Sequence, residues 1–135
     1  GNTDDHARNH AAFWDGATLT LTPAYDICPQ GRTGNKATQA MLIKGGNRMS
    51  TLAACLDAAP DFHLGETDAE AIIVEQITTI AGAWESTAAE AALSPTDRRL
   101  FAGRQFLNPF CVEGLGERHG ALGRTFEKAR KSMVG

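Results

Sequence analysis

The hydrophobic and polar positions follow two different periods along the chain, and the shorter period comes first. Residues 11–14 and 18–21 flank Asp15 and Gly16, and the second run alternates threonine with leucine. An Asp-Gly pair favours a tight turn because glycine tolerates positive φ, and alternation with a period of two is typical of strands. Pro23 then ends the pairing because it has no backbone N–H to donate. The pattern predicts a β-hairpin near the start of the chain.

From Ser50 onwards the pattern is helical. Residues 51–59 are rich in alanine and leucine, and a first helix is expected to end at Pro60, because proline disfavours helical geometry in the residue before it. Thr67 and Glu70 have the spacing of a capping box, which predicts the start of a long helix that ends near Leu93. Its apolar residues recur at helical spacing and predict one buried stripe: Ile73, Ile77, Ile80, Trp84 and Ala91.

Two further helices are predicted towards the end of the chain. Ser94 is a favourable N-cap, with Pro95 in the first turn and Asp97 near the positive end of the helix dipole. Three apolar residues form the expected buried side of this helix: Leu100, Phe101 and Leu107. Residues 121–133 predict a basic terminal helix.

Length and composition favour one globular domain. The chain has 135 residues, of which 42% are hydrophobic and 21% charged, close to the globular average. The expected fold class is therefore mostly α, a single domain over 1–135 with an N-terminal β-hairpin and a helical region over 50–135. No apolar run approaches the roughly 18 residues of a membrane span, and the first residues lack a signal-peptide pattern. Three cysteines, an odd number without paired spacing, favour reduced thiols and a cytoplasmic location.

Charge is distributed unevenly along the chain. Residues 49–97 carry nine acidic and no basic side chains, whereas residues 98–135 carry eight basic and three acidic ones. Nucleic-acid phosphates would be repelled by the acidic middle third, so direct nucleic-acid binding by this segment is not expected. The acidic helix would suit the docking of a basic partner. A non-catalytic helical protein-interaction domain is therefore one open hypothesis.

Candidate chemistry lies on both sides of the predicted hairpin. Asp4 and Asn9 come before it, and Asp26 follows it among apolar neighbours. A hairpin returns the chain to its starting point, so these three side chains are expected to converge. Two carboxylates and an amide suit phosphoryl transfer, in which one carboxylate orients and deprotonates a hydroxyl while the other and the amide hold Mg²⁺. Asp4 and Asn9 also have the Asp-to-Asn spacing of the protein-kinase catalytic loop.

Other interpretations of the polar residues remain open. The opening residues also suit a solvated terminal tail. Asp5, His6 and His10 have the ligand types of a metallohydrolase site. His63 and His119 stand alone beside predicted loops, and both are expected at the surface.

Two segments carry a family resemblance: GNTDDHARN at residues 1–9 and LTPAYDI at residues 21–27. They closely resemble the signature of HipA-like serine/threonine kinases, the toxins of bacterial toxin–antitoxin pairs. The resemblance implies a divergent protein-kinase fold, in which residues 1–29 hold the catalytic loop, the hairpin and the metal-binding aspartate segment of the C-lobe. It also implies ATP and Mg²⁺ as cofactors, a protein substrate, and a HipB-like DNA-binding antitoxin as partner.

The same resemblance implies a role for each of five residues. Asp4 would be the catalytic base, and Asn9 and Asp26 would bind Mg²⁺ and the nucleotide. His6 would support the catalytic loop by hydrogen bonding. Arg8 would face nucleotide phosphate, at a position where the family usually carries lysine, although the guanidinium fork differs from a point charge.

The sequence departs from the kinase pattern in one respect. It contains no glycine-rich phosphate loop and no strand lysine, which lie upstream of the catalytic loop in protein kinases. The chain is therefore expected to be the C-terminal portion of a longer kinase. By itself it is expected neither to bind ATP tightly nor to transfer phosphate.

Overall fold

The computed structural model describes residues 2–30 and 34–134. In chain order its strands and α-helices are β1 Ala12–Trp14, β2 Leu19–Leu21, α1 Leu52–Ala58, α2 Glu66–Glu90, α3 Pro95–Phe101 and α4 Gly120–Val134. Short 3₁₀ turns lie at Ala7–Asn9, Ala59–Phe62, Pro109–Val112 and Glu117–His119. The described chain is about half helical, and the four expected helices and the N-terminal antiparallel hairpin are confirmed. No helix in the described ranges is long and apolar enough to cross a membrane.

The hairpin forms where the alternating pattern predicts it. The two antiparallel strands pair in the register Ala12↔Leu21, Phe13↔Thr20 and Trp14↔Leu19. In the turn, Asp15 Oδ1 accepts hydrogen bonds from the N–H groups of Thr18 and Ala17, each at 2.8 Å. These donors hold the pKa of the Asp15 carboxyl below its usual value. Gly16 adopts φ +102°, a conformation that favours glycine.

The first two helices begin at different kinds of cap. The helix expected over 51–59 is confirmed as α1, and the Thr51 hydroxyl accepts from the N–H of Ala54 at 3.3 Å. The capping box predicted at Thr67 is wrong, because α2 begins at Glu66 with Gly65 as its N-cap. Thr67 therefore lies inside the first turn, and Glu70 is free to face another part of the chain.

The buried stripe of α2 is confirmed in its centre and wrong at two positions. Ile73, Ile77 and Trp84 are buried, whereas Ile80 is 36% exposed and Ala91 lies beyond the helix end on the surface. Periodicity assigns a residue to a face of the helix but does not say whether another element covers that turn. The main partner of α2 is α4, which has 15 residues against 25, so part of the stripe stays uncovered.

The segment from α3 to α4 closes the core. Ser94 caps α3 as expected, accepting from the N–H of Asp97 at 3.1 Å. Of the predicted buried side, Leu107 is buried and Phe101 is half-buried, but Leu100 is 46% exposed because α3 is short and lies at the surface. The basic terminal helix is confirmed as α4, and its Leu122 and Phe126 are the largest fully buried side chains among the described residues.

Candidate functional site

The hairpin brings the opening loop and the segment after β2 together around a cleft of about 360 Å³. Four polar residues of the opening segment line it: Asn2, Asp5, Asn9 and His10. Tyr25 and Ile27 line it from the other side. The backbone turn at Ala7–Asn9, closed by a 2.8 Å hydrogen bond from the Asn9 N–H to the His6 carbonyl, directs the Asn9 side chain inwards. Of the five residues predicted for the site, Asn9 lines this cleft, whereas Asp4, His6, Arg8 and Asp26 are not among its described lining residues.

Asn9, which lines this cleft, is in direct contact with Asp26 from the segment after β2. Asn9 Nδ2 donates to Asp26 Oδ2 at 2.7 Å, although 17 residues separate the two in sequence. The other amide atom, Oδ1, accepts from the His6 N–H at 3.1 Å. Because the two partners of the Asn9 amide are a donor and an acceptor, they determine its orientation. Asn9 is 9% exposed, whereas Asp26 is exposed and adopts φ +55°, a strained conformation for a residue other than glycine.

Asn2 connects the Asp4 and Asp26 backbones. Its Oδ1 accepts from the Asp4 N–H at 3.1 Å, and its Nδ2 donates to the Asp26 carbonyl at 3.4 Å. Sequence reasoning assigned no role to Asn2. The Asn-x-Asp spacing of a local side-chain turn could have indicated the first contact, but the second depends on the folded hairpin.

The two charged candidates of the opening loop are exposed. Neither the Asp4 carboxylate nor the Arg8 guanidinium has a hydrogen bond or ion pair within residues 2–30 and 34–134. Arg8 is nevertheless fixed through its backbone, since the Tyr25 hydroxyl donates to its carbonyl at 2.5 Å. This contact, which the sequence did not indicate, ties the aspartate segment to the opening loop. The Asp4 carboxylate thus remains available to accept a proton.

His6 contributes to the loop through its backbone, which bonds Asn9 in both directions. Its Nδ1 is buried and has no hydrogen-bond partner in the described part of the chain. The alternative metal site of Asp5, His6 and His10 is not assembled. Asp5 and His10 instead pair with each other at 3.0 Å. Among the described residues, the group of three potential metal ligands that lie close together is on the helical side of the molecule.

The donor set at the Asn9–Asp26 contact suits Mg²⁺, which prefers carboxylate and amide oxygens. Asp26 Oδ1 has no hydrogen bond in residues 2–30 or 34–134, and Asn9 Oδ1 has a second lone pair beyond its bond to His6. The Asn9 amide nitrogen, rather than its oxygen, now faces Asp26. The two residues therefore fit a shared divalent ion once their mutual hydrogen bond opens.

A second polar cluster lies on the helical side of the molecule and was not predicted. His119, expected at the surface, is 4% exposed, and its Nδ1 forms a short hydrogen bond with the Glu70 carboxylate. Arg118 Nε donates to His119 Nε2 at 2.9 Å, and Glu66 lies 3.7 Å from the same nitrogen. The guanidinium beside Nε2 repels cations, so hydrogen bonds and ion pairs explain this cluster without a metal. Its partners lie 49 residues apart, which leaves no local sequence signal.

Comparison with known proteins gives a family match for the part of the chain that forms this site. The model of the HipA-like C-terminal domain matches residues 1–84, a range that includes the cleft, the hairpin and most of α2. No curated protein and no solved structure gives a significant match to this chain. The family match extends over more than half of the sequence and contains the contact between Asn9 and Asp26. The chain therefore belongs to the family of HipA-like C-terminal domains.

Proposed function

We propose that this chain is the C-terminal lobe of a HipA-like protein serine/threonine kinase, which transfers phosphate from Mg²⁺-ATP to a protein hydroxyl. The observation that carries the proposal is the 2.7 Å contact between Asn9 and Asp26, which joins the opening loop to the segment after the hairpin. Family membership supports it, and Asp4 in the same opening loop supplies the second of the two carboxylates that, with an amide, phosphoryl transfer requires.

The proposed reaction gives each polar residue a separate task. Asp4 orients the substrate hydroxyl and accepts its proton as the hydroxyl oxygen bonds to the γ-phosphorus and the bond to ADP breaks. Asn9 and Asp26 hold the divalent ion, whose charge offsets that of the phosphates. His6 keeps Asn9 in position through two backbone hydrogen bonds. Arg8, whose backbone carbonyl accepts from the Tyr25 hydroxyl, would face phosphate oxygens.

The exposed apolar face of the hairpin supports a larger kinase. Trp14, Leu19 and Leu21 are 61%, 68% and 78% exposed, and the strand register places them on the same face. An exposed apolar patch of this kind is characteristic of an interaction surface. We place the nucleotide-covering lobe, with its glycine-rich loop and lysine, against this face. The isolated chain is accordingly proposed to be inactive.

The family relationship also supports a biological setting. The proposed parent is a cytoplasmic toxin of a toxin–antitoxin pair, with a HipB-like DNA-binding antitoxin and a protein substrate as partners. The second candidate is a non-catalytic interaction domain. The same exposed hairpin favours it, because an apolar face suits any protein partner.

Phosphate transfer by the full-length parent separates the two functions. Asp4→Asn should lower transfer of labelled γ-phosphate by two to four orders of magnitude, about the contribution of a general base, with an unchanged circular-dichroism spectrum. Asp57→Asn is the matched control, since Asp57 is exposed on α1 and belongs to another part of the molecule. Equal activity of the two variants would exclude Asp4 as the base, and an inactive unsubstituted parent would favour the interaction domain.

A further inference from the structure

A second concavity, of about 220 Å³, lies between the loop after α3 and the terminal helix. Its lining includes Gly103, Arg104 and Asn108 from the loop, Arg130 from α4, and Asn35 from the segment before α1. None of its described lining residues also lines the cleft between the opening loop and the segment after β2, and none of them is acidic. It is therefore a separate polar surface with two positive charges.

Arg130 brings an unsatisfied donor to this surface. Its Nε is buried and has no hydrogen-bond partner in the described part of the chain. A buried N–H group without an acceptor is unfavourable, and such groups are uncommon in native proteins. An acceptor supplied by a ligand would satisfy it.

Gly103 makes room for the Arg130 guanidinium. It adopts φ +68°, and a Cβ there would lie 3.4 Å from Arg130 Nε and 3.1 Å from a methyl group of Val134. Any larger residue would thus be strained in its backbone and would crowd the Val134 methyl group, while its Cβ would only touch the guanidinium. The glycine lets the arginine lie directly against the loop backbone.

Arg104 adds the second guanidinium. Its backbone is held in place, because its carbonyl accepts from Asn108 Nδ2 at 2.9 Å and its N–H bonds to the Phe101 carbonyl at 3.3 Å. Its side chain is exposed and makes no hydrogen bond or ion pair to the residues that the structure describes. Two arginines therefore border one concavity, and none of its described lining residues has a carboxylate to neutralise them.

We propose that this concavity is a binding site for a phosphate-sized oxyanion, held between Arg104 and Arg130. The guanidinium fork matches the oxygens of phosphate and donates two parallel charge-assisted hydrogen bonds. Binding would also satisfy the buried Nε of Arg130. The shared chemistry is a phosphate group, carried by a phosphorylated side chain or by a free nucleotide.

Titration of the 135-residue chain with inorganic phosphate tests the site. Backbone amide shifts in NMR should move first at Gly103 and Arg104, and Arg104→Gln should weaken phosphate binding at least tenfold. Arg124→Gln is the matched control because it removes the same charge from an exposed position on α4 that does not line the concavity. Arg130→Gln should weaken phosphate binding as much as Arg104→Gln does. If the half-buried Arg130 is needed for folding, Arg104→Gln alone still tests the site.

Each outcome decides for or against the site. Tighter binding of phosphoserine than of AMP assigns the phosphate to a side chain, and the reverse assigns it to a nucleotide. Equal weakening by Arg104→Gln and Arg124→Gln would overturn the proposal, because the effect would then reflect overall charge. Amide shifts confined to residues 2–26 would overturn it as well, since phosphate would then occupy the other cleft.

Discussion

The contact between Asn9 and Asp26 can be tested by converting the amide into a carboxylate. Asn9→Asp keeps the oxygen that accepts from the His6 N–H but replaces the donor that faces Asp26 at 2.7 Å. A hydrogen bond to a charged group contributes about 1.5–3 kcal/mol. Two like charges about 4 Å apart in a water-like dielectric repel by about 1 kcal/mol. Because Asp26 is exposed, we expect a net loss of about 2 kcal/mol for closure of the cleft.

The loss should appear as local opening rather than as global unfolding. The hairpin is exposed on both strands, whereas the buried core consists mainly of α2, α4 and the loop after α3. A segment with few buried contacts opens independently of the core. Exchange of the amide protons of His6 and Asn9 should therefore accelerate about thirtyfold, the ratio that 2 kcal/mol represents. Amides of α4 should keep their exchange rates.

Mg²⁺ should reverse this effect in the variant. Two carboxylates in contact form a stronger site for a hard cation than a carboxylate and an amide. Asn47→Asp is the matched control, because Asn47 Oδ1 also accepts from a backbone N–H, at 2.9 Å, but its side chain donates to no carboxylate among the described residues. Unchanged exchange in Asn9→Asp, or equal acceleration in Asn47→Asp, would refute the inferred contact. Acceleration that Mg²⁺ does not reduce would refute the assignment of the pair as a divalent-ion site.

Three further predictions concern other parts of the molecule. His119→Ala should lower the free energy of unfolding by about 2 kcal/mol, because a buried hydrogen bond to a carboxylate is lost. A denaturation double-mutant cycle with Glu70→Ala measures the coupling between His119 and Glu70, and additive effects of the two substitutions would contradict the predicted bond. Acid should loosen the hairpin turn, because two backbone N–H groups lower the pKa of the Asp15 carboxyl from 3.8. The carboxylate stabilises the turn fully above pH 3.8, and this stabilisation disappears as the pH falls through the lower pKa of the folded state. Hairpin amide exchange checks this, and Asp15→Asn should remove the pH dependence. Cys55 should react with iodoacetamide more slowly than Cys28 at neutral pH, although both residues are exposed, because desolvation of the thiol and the nearby Cys111 raise the pKa of Cys55. Equal rates by mass spectrometry would argue against this.

The elements that could be predicted are those whose cause is local. The Asp-Gly turn and the Ser94 cap each depend on hydrogen bonds within four residues, and both formed as expected. The predicted N-cap of α2, Thr67, was wrong because the helix starts two residues earlier, with Gly65 as its N-cap. Tertiary contacts then gave Glu70 a different partner, so local spacing could not decide between the two starts.

The candidate site likewise has features that the sequence predicts and contacts that only the fold creates. The spacing of Asp4 and Asn9 and the position of Asp26 after a hairpin were visible in sequence, since a hairpin necessarily returns the chain to its origin. The contacts that complete the cleft were not visible. Tyr25 reaches a backbone carbonyl and Asn2 bridges two backbones, and either side chain could equally have pointed into solvent.

The amino-acid sequence by itself determined the hairpin, the four helices in approximate bounds, and the convergence of two acidic segments, because turn chemistry, caps and periodicity act over a few residues. The tertiary structure alone decided which apolar positions are covered, why His119 is buried, and how Arg104 and Arg130 come to border one concavity. Those outcomes depend on how α4 and the loop after α3 pack against the rest of the chain. Packing between segments far apart in sequence leaves no periodic trace in either of them.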